Sequence, residues 1–335
     1  MKKAIFVSVL LSGLVAQAHE GHKQPPAGKV VTSAQMTGNG AFRFETVPGF
    51  GVMPNHVNVG PTHGGVAVDG KGNVYVSTEA GHGVVKFSPD GKFLKGFGPN
   101  TKALHSLAVV SEGKKEVLIG AAVSAQKILK LDLDGKLLMV IPNDNTGVIS
   151  GGLKGVTAVD VGPDGNIYVA CGYGSNLIHK FDATGKLIKT AGGRGTGDGK
   201  FVTCHGLAID SRSGKPLLLI CDRENRRMVH FDLELNFIAV HTKNLRRPCA
   251  VSIRGDFAAV AELEGRVTIL GKKGECLAFL GDQPDRSLWA KKPVPQEKLF
   301  DGLFTAPHGL SWDHDGNLIV QDWNVTGRVT KLKKL

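Results

Sequence analysis

One segment recurs six times along this chain, and every second copy carries a histidine at the same position. Each copy opens with a short alternating strand leading into a turn of the Asp-x-x-Gly-Asn kind or a relative. Counting back from the turn asparagines Asn73, Asn166 and Asn317 places Gly64, Thr157 and His308 at equivalent points of copies one, three and six. The looser copies two, four and five place His105, His205 and Cys249 there, whereas His63 is one residue out of register and falls outside the set. A repeat of roughly 40 to 60 residues built from several short strands is the pattern of a propeller blade, not of a helical solenoid. Closing six such units into a ring puts copies two, four and six about 120° apart around one axis. Three imidazoles then point at one place, the geometry a metal site needs.

Copy three shows the unit most plainly: a strand at 156–160, the turn Pro163-Asp164-Gly165-Asn166, then strands at 167–170 and 177–181. Alternating apolar runs of this length between Gly, Asp and Asn turns are strand signals. Many tight turns also account for 45 glycines in 335 residues. The expectation is an all-β chain, a six-bladed β-propeller over residues 41–335 with no internal domain boundary. The sixth copy lacks an outer strand, and residues 42–47, which alternate, are placed to supply it and remove the exposed edge.

Ahead of the repeats, Lys2-Lys3, an apolar run over 4–15 and Ala16-Gln17-Ala18 read as a secretory signal peptide over 1–18. That run is too short to span a bilayer, so the expectation is a secreted or periplasmic protein with no membrane span. Residues 19–40 read as a disordered tail; His19-Glu20-Gly21-His22 at its start would alternatively bind copper through a freed amino group. The net charge of +11 is spread over turns rather than clustered, which excludes nucleic acid as the expected partner. Five cysteines leave at least one unpaired. Cys171 with Cys221, or Cys204 with Cys249, are candidate disulfides, while Cys276 belongs to neither couple.

In a propeller, the segments leading into the inner strands and the loops after the second strands share one face. The second-strand loops here vary from copy to copy, with Glu79, Tyr173, Asp222, Arg223, Glu224 and Trp323 among their residues. Variation of this kind on one face marks function. Three neutral imidazoles on zinc leave one open position, as in catalytic zinc sites, and Tyr173 and Arg223 suit proton transfer and charge stabilisation. The alternatives are that the histidines plug the channel mouth, that Tyr173 is a hydrogen-bonded rim residue, and that Arg223, Glu224 and Arg227 form a salt-bridged rim. Trp323 either stacks on a ligand or packs. Residues 281–302 form either a lid or a long surface loop.

The segments Gly172-Tyr173-Gly174-Ser175-Asn176, Gly199-Lys200-Phe201 with His205-Gly206-Leu207-Ala208, Cys221-Asp222-Arg223-Glu224-Asn225-Arg226-Arg227 and Ala306-Pro307-His308-Gly309 resemble the lyase domain of peptidylglycine α-amidating enzymes, within the wider set of NHL-repeat propellers. The resemblance implies that His105, His205 and His308 are zinc ligands, Tyr173 the catalytic tyrosine and Arg223 a pocket arginine. It implies cleavage of a peptidyl-α-hydroxyglycine to an amide and glyoxylate. A second pocket arginine of that family is missing after the second strand of copy one, where Glu79 stands, and Arg246 or Arg247 is the candidate substitute. The family's calcium site loses its acidic residue to Gly309, and Gly174 replaces the cysteine of its disulfide.

Two further readings stand beside a lyase acting on a peptide or small molecule. One is a non-catalytic propeller that binds a peptide, glycan or protein on the same face. The other is a metal-dependent hydrolase such as a lactonase. No nucleophile elbow, phosphate loop or Cys-x-x-Cys motif occurs, which argues against triad hydrolases, nucleotide use and thioredoxin-like chemistry.

Overall fold

The computed structural model describes residues 32–54, 59–98, 104–149, 152–325 and 327–335. The signal segment and most of the predicted tail lie outside the described residues. No helix among the described residues is long and apolar enough to cross a membrane.

Six antiparallel sheets form six blades, as the repeats predict. Blade three comprises Ala158–Val161, Ile167–Cys171, Leu177–Phe181 and Leu187–Gly192 in that order from the axis outward. An aspartate organises many of the turns: the carboxylate oxygen of Asp69, Asp132, Asp182, Asp232 or Asp313 accepts from main-chain N–H groups two and four residues on. This explains why Asp and Gly punctuate the repeats.

The ring closes where residues 42–47 were expected to close it. Phe42–Thr46 pairs antiparallel with Val329–Lys334 of blade six. The fold starts earlier than residue 41, however, because Met36–Asn39 pairs with Phe42–Thr46 as a fifth strand of that sheet. Thr32 and Ser33 also donate to Asp301, so the described part of the predicted tail is joined to the propeller.

Between blades the core is apolar. Phe42, Phe44 and Leu332 of blade six interlock with Ala261, Ile269 and Leu280 of blade five. Blades one and six are also stitched by polar contacts: Gln321 accepts from the Gly64 N–H at 2.6 Å and donates to the Ser77 carbonyl at 2.9 Å.

The inner strands differ in one respect that positions the site. In blades two, four, five and six the ladder slips near its start: the shifts fall between Leu104 and Ser106, Cys204 and Leu207, Pro248 and Ala250, and Pro307 and Gly309. Each slip is a β-bulge, and a bulge re-aims the side chain of its extra residue. The residues so released are His105, His205, Cys249 and His308. In blades one and three the paired inner strand begins after the equivalent residue, at Val66 and Ala158.

Phe44 is fully buried in the closing strand. Phe44→Ala is expected to destabilise the protein by about 3–5 kcal/mol, read as a drop in the urea midpoint with an unchanged slope.

Candidate active site

The three alternate-blade histidines meet at the axis. His105, His205 and His308 are all buried, and their ring centroids stand 4.6 to 5.0 Å apart. Their Nε2 atoms converge on one oxygen: Tyr173 Oη lies 3.1 Å from His105, 2.9 Å from His205 and 3.5 Å from His308. A point beside that hydroxyl is in reach of all three imidazoles.

Main-chain contacts fix the ring orientation. His105 Nδ1 is 2.6 Å from the Thr157 carbonyl, and His205 Nδ1 is 2.7 Å from the Cys249 carbonyl. Each carbonyl belongs to the equivalent residue of the next blade. A carbonyl only accepts, so Nδ1 carries the proton and Nε2 presents its lone pair to the axis, the tautomer that metal-ligating histidines adopt. His308 departs from the pattern, because its Nδ1 is buried without a partner. By the same rule its acceptor would be Gly64, whose carbonyl oxygen instead presses on Gly309: a Cβ at Gly309 would lie 1.5 Å from it. Only glycine fits there, which accounts for the missing acidic residue.

Burial dominates the electrostatics. His105, His205 and His308 are held well below the usual histidine range by desolvation, with Arg223 adding a like-charge penalty. All three are neutral at pH 7 and free to ligate. Tyr173 is only partly exposed, at 39%, and its hydroxyl points inward; desolvation of that hydroxyl pushes it up to about 12 against the pull of Arg223. Arg223 Nη1 donates to Tyr173 Oη at 3.3 Å.

The wall of the site holds a residue that the repeat alignment rejected. The His63 ring stacks on Trp323, with centroids 5.4 Å apart at 18°, and sits 4.8 Å from His105 and 4.9 Å from His308. Gly64 explains the slip, since a Cβ there would lie 2.7 Å from His308 Nδ1 and its φ of +120° turns the chain so that the preceding residue faces the axis. Glu79 lies 3.5 Å from His63 Nδ1 and 3.5 Å from Lys292 Nζ. Lys292 stands 5.2 Å over the Trp323 ring, so the 281–302 segment reaches the site wall. Burial lowers His63 to about 4 against the opposing charge of Glu79.

Other candidates are placed elsewhere. Asp222 is fully buried, and its two oxygens accept from Val202 N, Asn225 and Arg227. It braces its loop and offers nothing to a substrate. The same acid-to-arginine brace recurs in blades five and six, as Glu262 with Arg266 and Asp322 with Arg328. Arg246 pairs with Asp282 at 2.5 Å and lies 4.1 Å over Trp289, while Arg247 pairs with Glu224. Neither replaces the absent blade-one arginine; Lys292 is the cation on that side. Glu224 also accepts from Arg223, so the salt-bridged rim exists, but through Arg223, Glu224 and Arg247. All five thiols are free, so neither cysteine couple is bridged.

No protein-family model matches this chain, and no curated protein sequence matches it. Solved structures match its fold. A streptogramin B lyase superimposes with a TM-score of 0.55 at 14% identity, covering 89% of this chain and 98% of that one. Virginiamycin B lyase from Staphylococcus aureus, crystallised with quinupristin, gives 0.52 at 16% over 84% and 82%. A gluconolactonase from Xanthomonas campestris gives 0.60 at 14% over 92% and 98%. At these identities the likeness is one of fold, and the chain is a six-bladed propeller of the architecture those enzymes share.

The buried imidazoles set a pH limit on the metal-free protein. Their folded-state pKa values lie below the unfolded value near 6.5, so the unfolded chain binds more protons as acid is added. Stability is therefore expected to be fully present above about pH 6.5 and to fall as pH drops toward 4. Thermal melts of metal-free protein between pH 8 and pH 4.5 check this. A His63→Gln variant should show a shallower loss, and an unchanged slope would remove His63 from the account.

Proposed function

We propose that this propeller is a metal-dependent lyase acting on a small-molecule or peptide substrate, and that it holds zinc and cleaves a carbon–nitrogen bond in the manner of the amidating enzymes. One observation carries the reading: a single hydroxyl sits within 3.5 Å of three Nε2 atoms, two of them on rings anchored to the main chain. Three neutral imidazoles are a donor set that suits zinc and leaves an open position.

Zinc bound there would polarise a neighbouring oxygen and lower the pKa of a hydroxyl. Tyr173, in the phenolate form that a bound zinc and Arg223 would have to stabilise against burial, is placed to receive the proton of a substrate hydroxyl bound beside its own oxygen. Arg223 favours the phenolate form of such a base and offers its guanidinium to a substrate carboxylate. Lys292 supplies a second cation on the blade-one side, partly neutralised by Glu79. For an α-hydroxyglycine substrate, the O–H proton passes to Tyr173 and a carbonyl forms at the hydroxyl-bearing carbon. The C–N bond breaks with its electron pair on nitrogen, and Tyr173 passes the same proton on to that nitrogen, giving an amide and glyoxylate and restoring the base. His63 and Trp323 form an aromatic wall that limits water at this point. Export, read from residues 1–18, would place this chemistry in the periplasm or outside the cell.

Metal analysis of purified protein is expected to find close to one zinc per chain, falling to near zero in His205→Ala. Glyoxylate should be released from a peptide ending in α-hydroxyglycine, and Tyr173→Phe should slow this roughly 10²- to 10⁴-fold. Zinc with lactone opening but no glyoxylate would instead favour the hydrolase reading, and a chain that binds no metal would be a binding module.

A further inference from the structure

We infer that Cys249 is a fourth protein ligand of the same centre, so that the resting site is a three-imidazole, one-thiolate set selective for a thiophilic cation. The inference rests on the metal reading above. Cys249 occupies in blade five the position that His105, His205 and His308 occupy in theirs. It is also the fourth residue released by a bulge, since Pro248 pairs with Glu262 and Ala250 with Ala261, leaving Cys249 unpaired between them. Gly64 and Thr157, which carry no metal-binding side chain, hold this position in blades one and three.

Geometry supports the same assignment. The ligand atoms of His205, Cys249 and His308 all lie within 4.8 Å of one another, and His308 also belongs to a second such group with His105 and His63, so it links the thiol to the third imidazole. A tetrahedral zinc with its sulfur at about 2.3 Å and its nitrogens at about 2.0–2.1 Å requires roughly 3.6 Å between sulfur and nitrogen. Closing the difference takes about an ångström, within the reach of a χ1 rotation. The Cys249 carbonyl already accepts from His205 Nδ1, so the main chain that carries the thiol also holds one of the imidazoles. Burial pushes the Cys249 thiol up to about 11, and Arg223 beside it opposes that rise and would offset part of the charge of the thiolate that ligation creates.

The step is an exchange of one proton for one cation, with no change of oxidation state: the metal–sulfur bond forms as the S–H bond breaks, and the proton leaves to solvent. Four protein ligands close the coordination shell, the arrangement of structural zinc. Substrate must therefore displace sulfur to reach the metal, and Cys249 sets the selectivity for zinc or cobalt over magnesium or calcium.

Cobalt(II) reports both claims without any measurement of activity. One equivalent added to metal-stripped protein is expected to give the visible bands of tetrahedral cobalt together with an intense near-ultraviolet thiolate-to-cobalt band. In Cys249→Ser the near-ultraviolet band should vanish while visible bands remain, and Cys249→Ala serves as a second variant if the first folds poorly. Visible bands without the thiolate band in the unsubstituted chain would overturn the inference, as would a thiolate band that survives in both variants. Absence of both sets of bands in the unsubstituted chain would instead remove the metal centre itself.

Discussion

An imidazole that donates from Nδ1 to the main chain of the neighbouring blade joins this fold to its site. His105 and His205 each hold the carbonyl of the equivalent residue one blade on. Ring closure and ligand orientation are thus one constraint: if two blades shift, the acceptor shifts and the Nε2 lone pair leaves the axis. Burial adds the second half, because desolvated imidazoles stay neutral and keep that lone pair available. An exposed histidine would have neither property.

The blade count, the order of strands and the closing strand were legible because they rest on period-two alternation and on Asp-Gly turns, both local signals. So were His105, His205 and His308, since repetition converts sequence position into angle around the axis. What stayed hidden depends on single-residue offsets and distant partners. His63 was rejected on register, although Gly64 without a side chain turns it into the site. Asp222 looked like a site acid because a carboxylate at a strand end reads the same whether its oxygens face a substrate or a loop. Arg246 and Arg247 were plausible pocket cations until Asp282 and Glu224 claimed them. Lys292 arrives from an insertion far along the chain, and no spacing rule links it to Glu79.

Even and odd blades share the work at the axis. Even blades supply the three imidazoles, while odd blades supply His63, Tyr173 and Cys249 around them, each from a different structural device. His63 is turned in beside a glycine, Tyr173 leans in from a second-strand loop, and Cys249 is released by a bulge. This division lets a repeat keep its scaffold constant while its rim diverges.

The sheet of blade six combines strands from opposite ends of the described chain, pairing Phe44 with Lys334 across about 290 residues. A ribosome delivers the first of these strands long before the second exists, so blades one to five can form while Phe44 waits with its ring in solvent. Assembly of the disc is then a single late event of high contact order, and a message cut short anywhere upstream leaves a molecule with an unpaired hydrophobic edge that protein quality control can recognise.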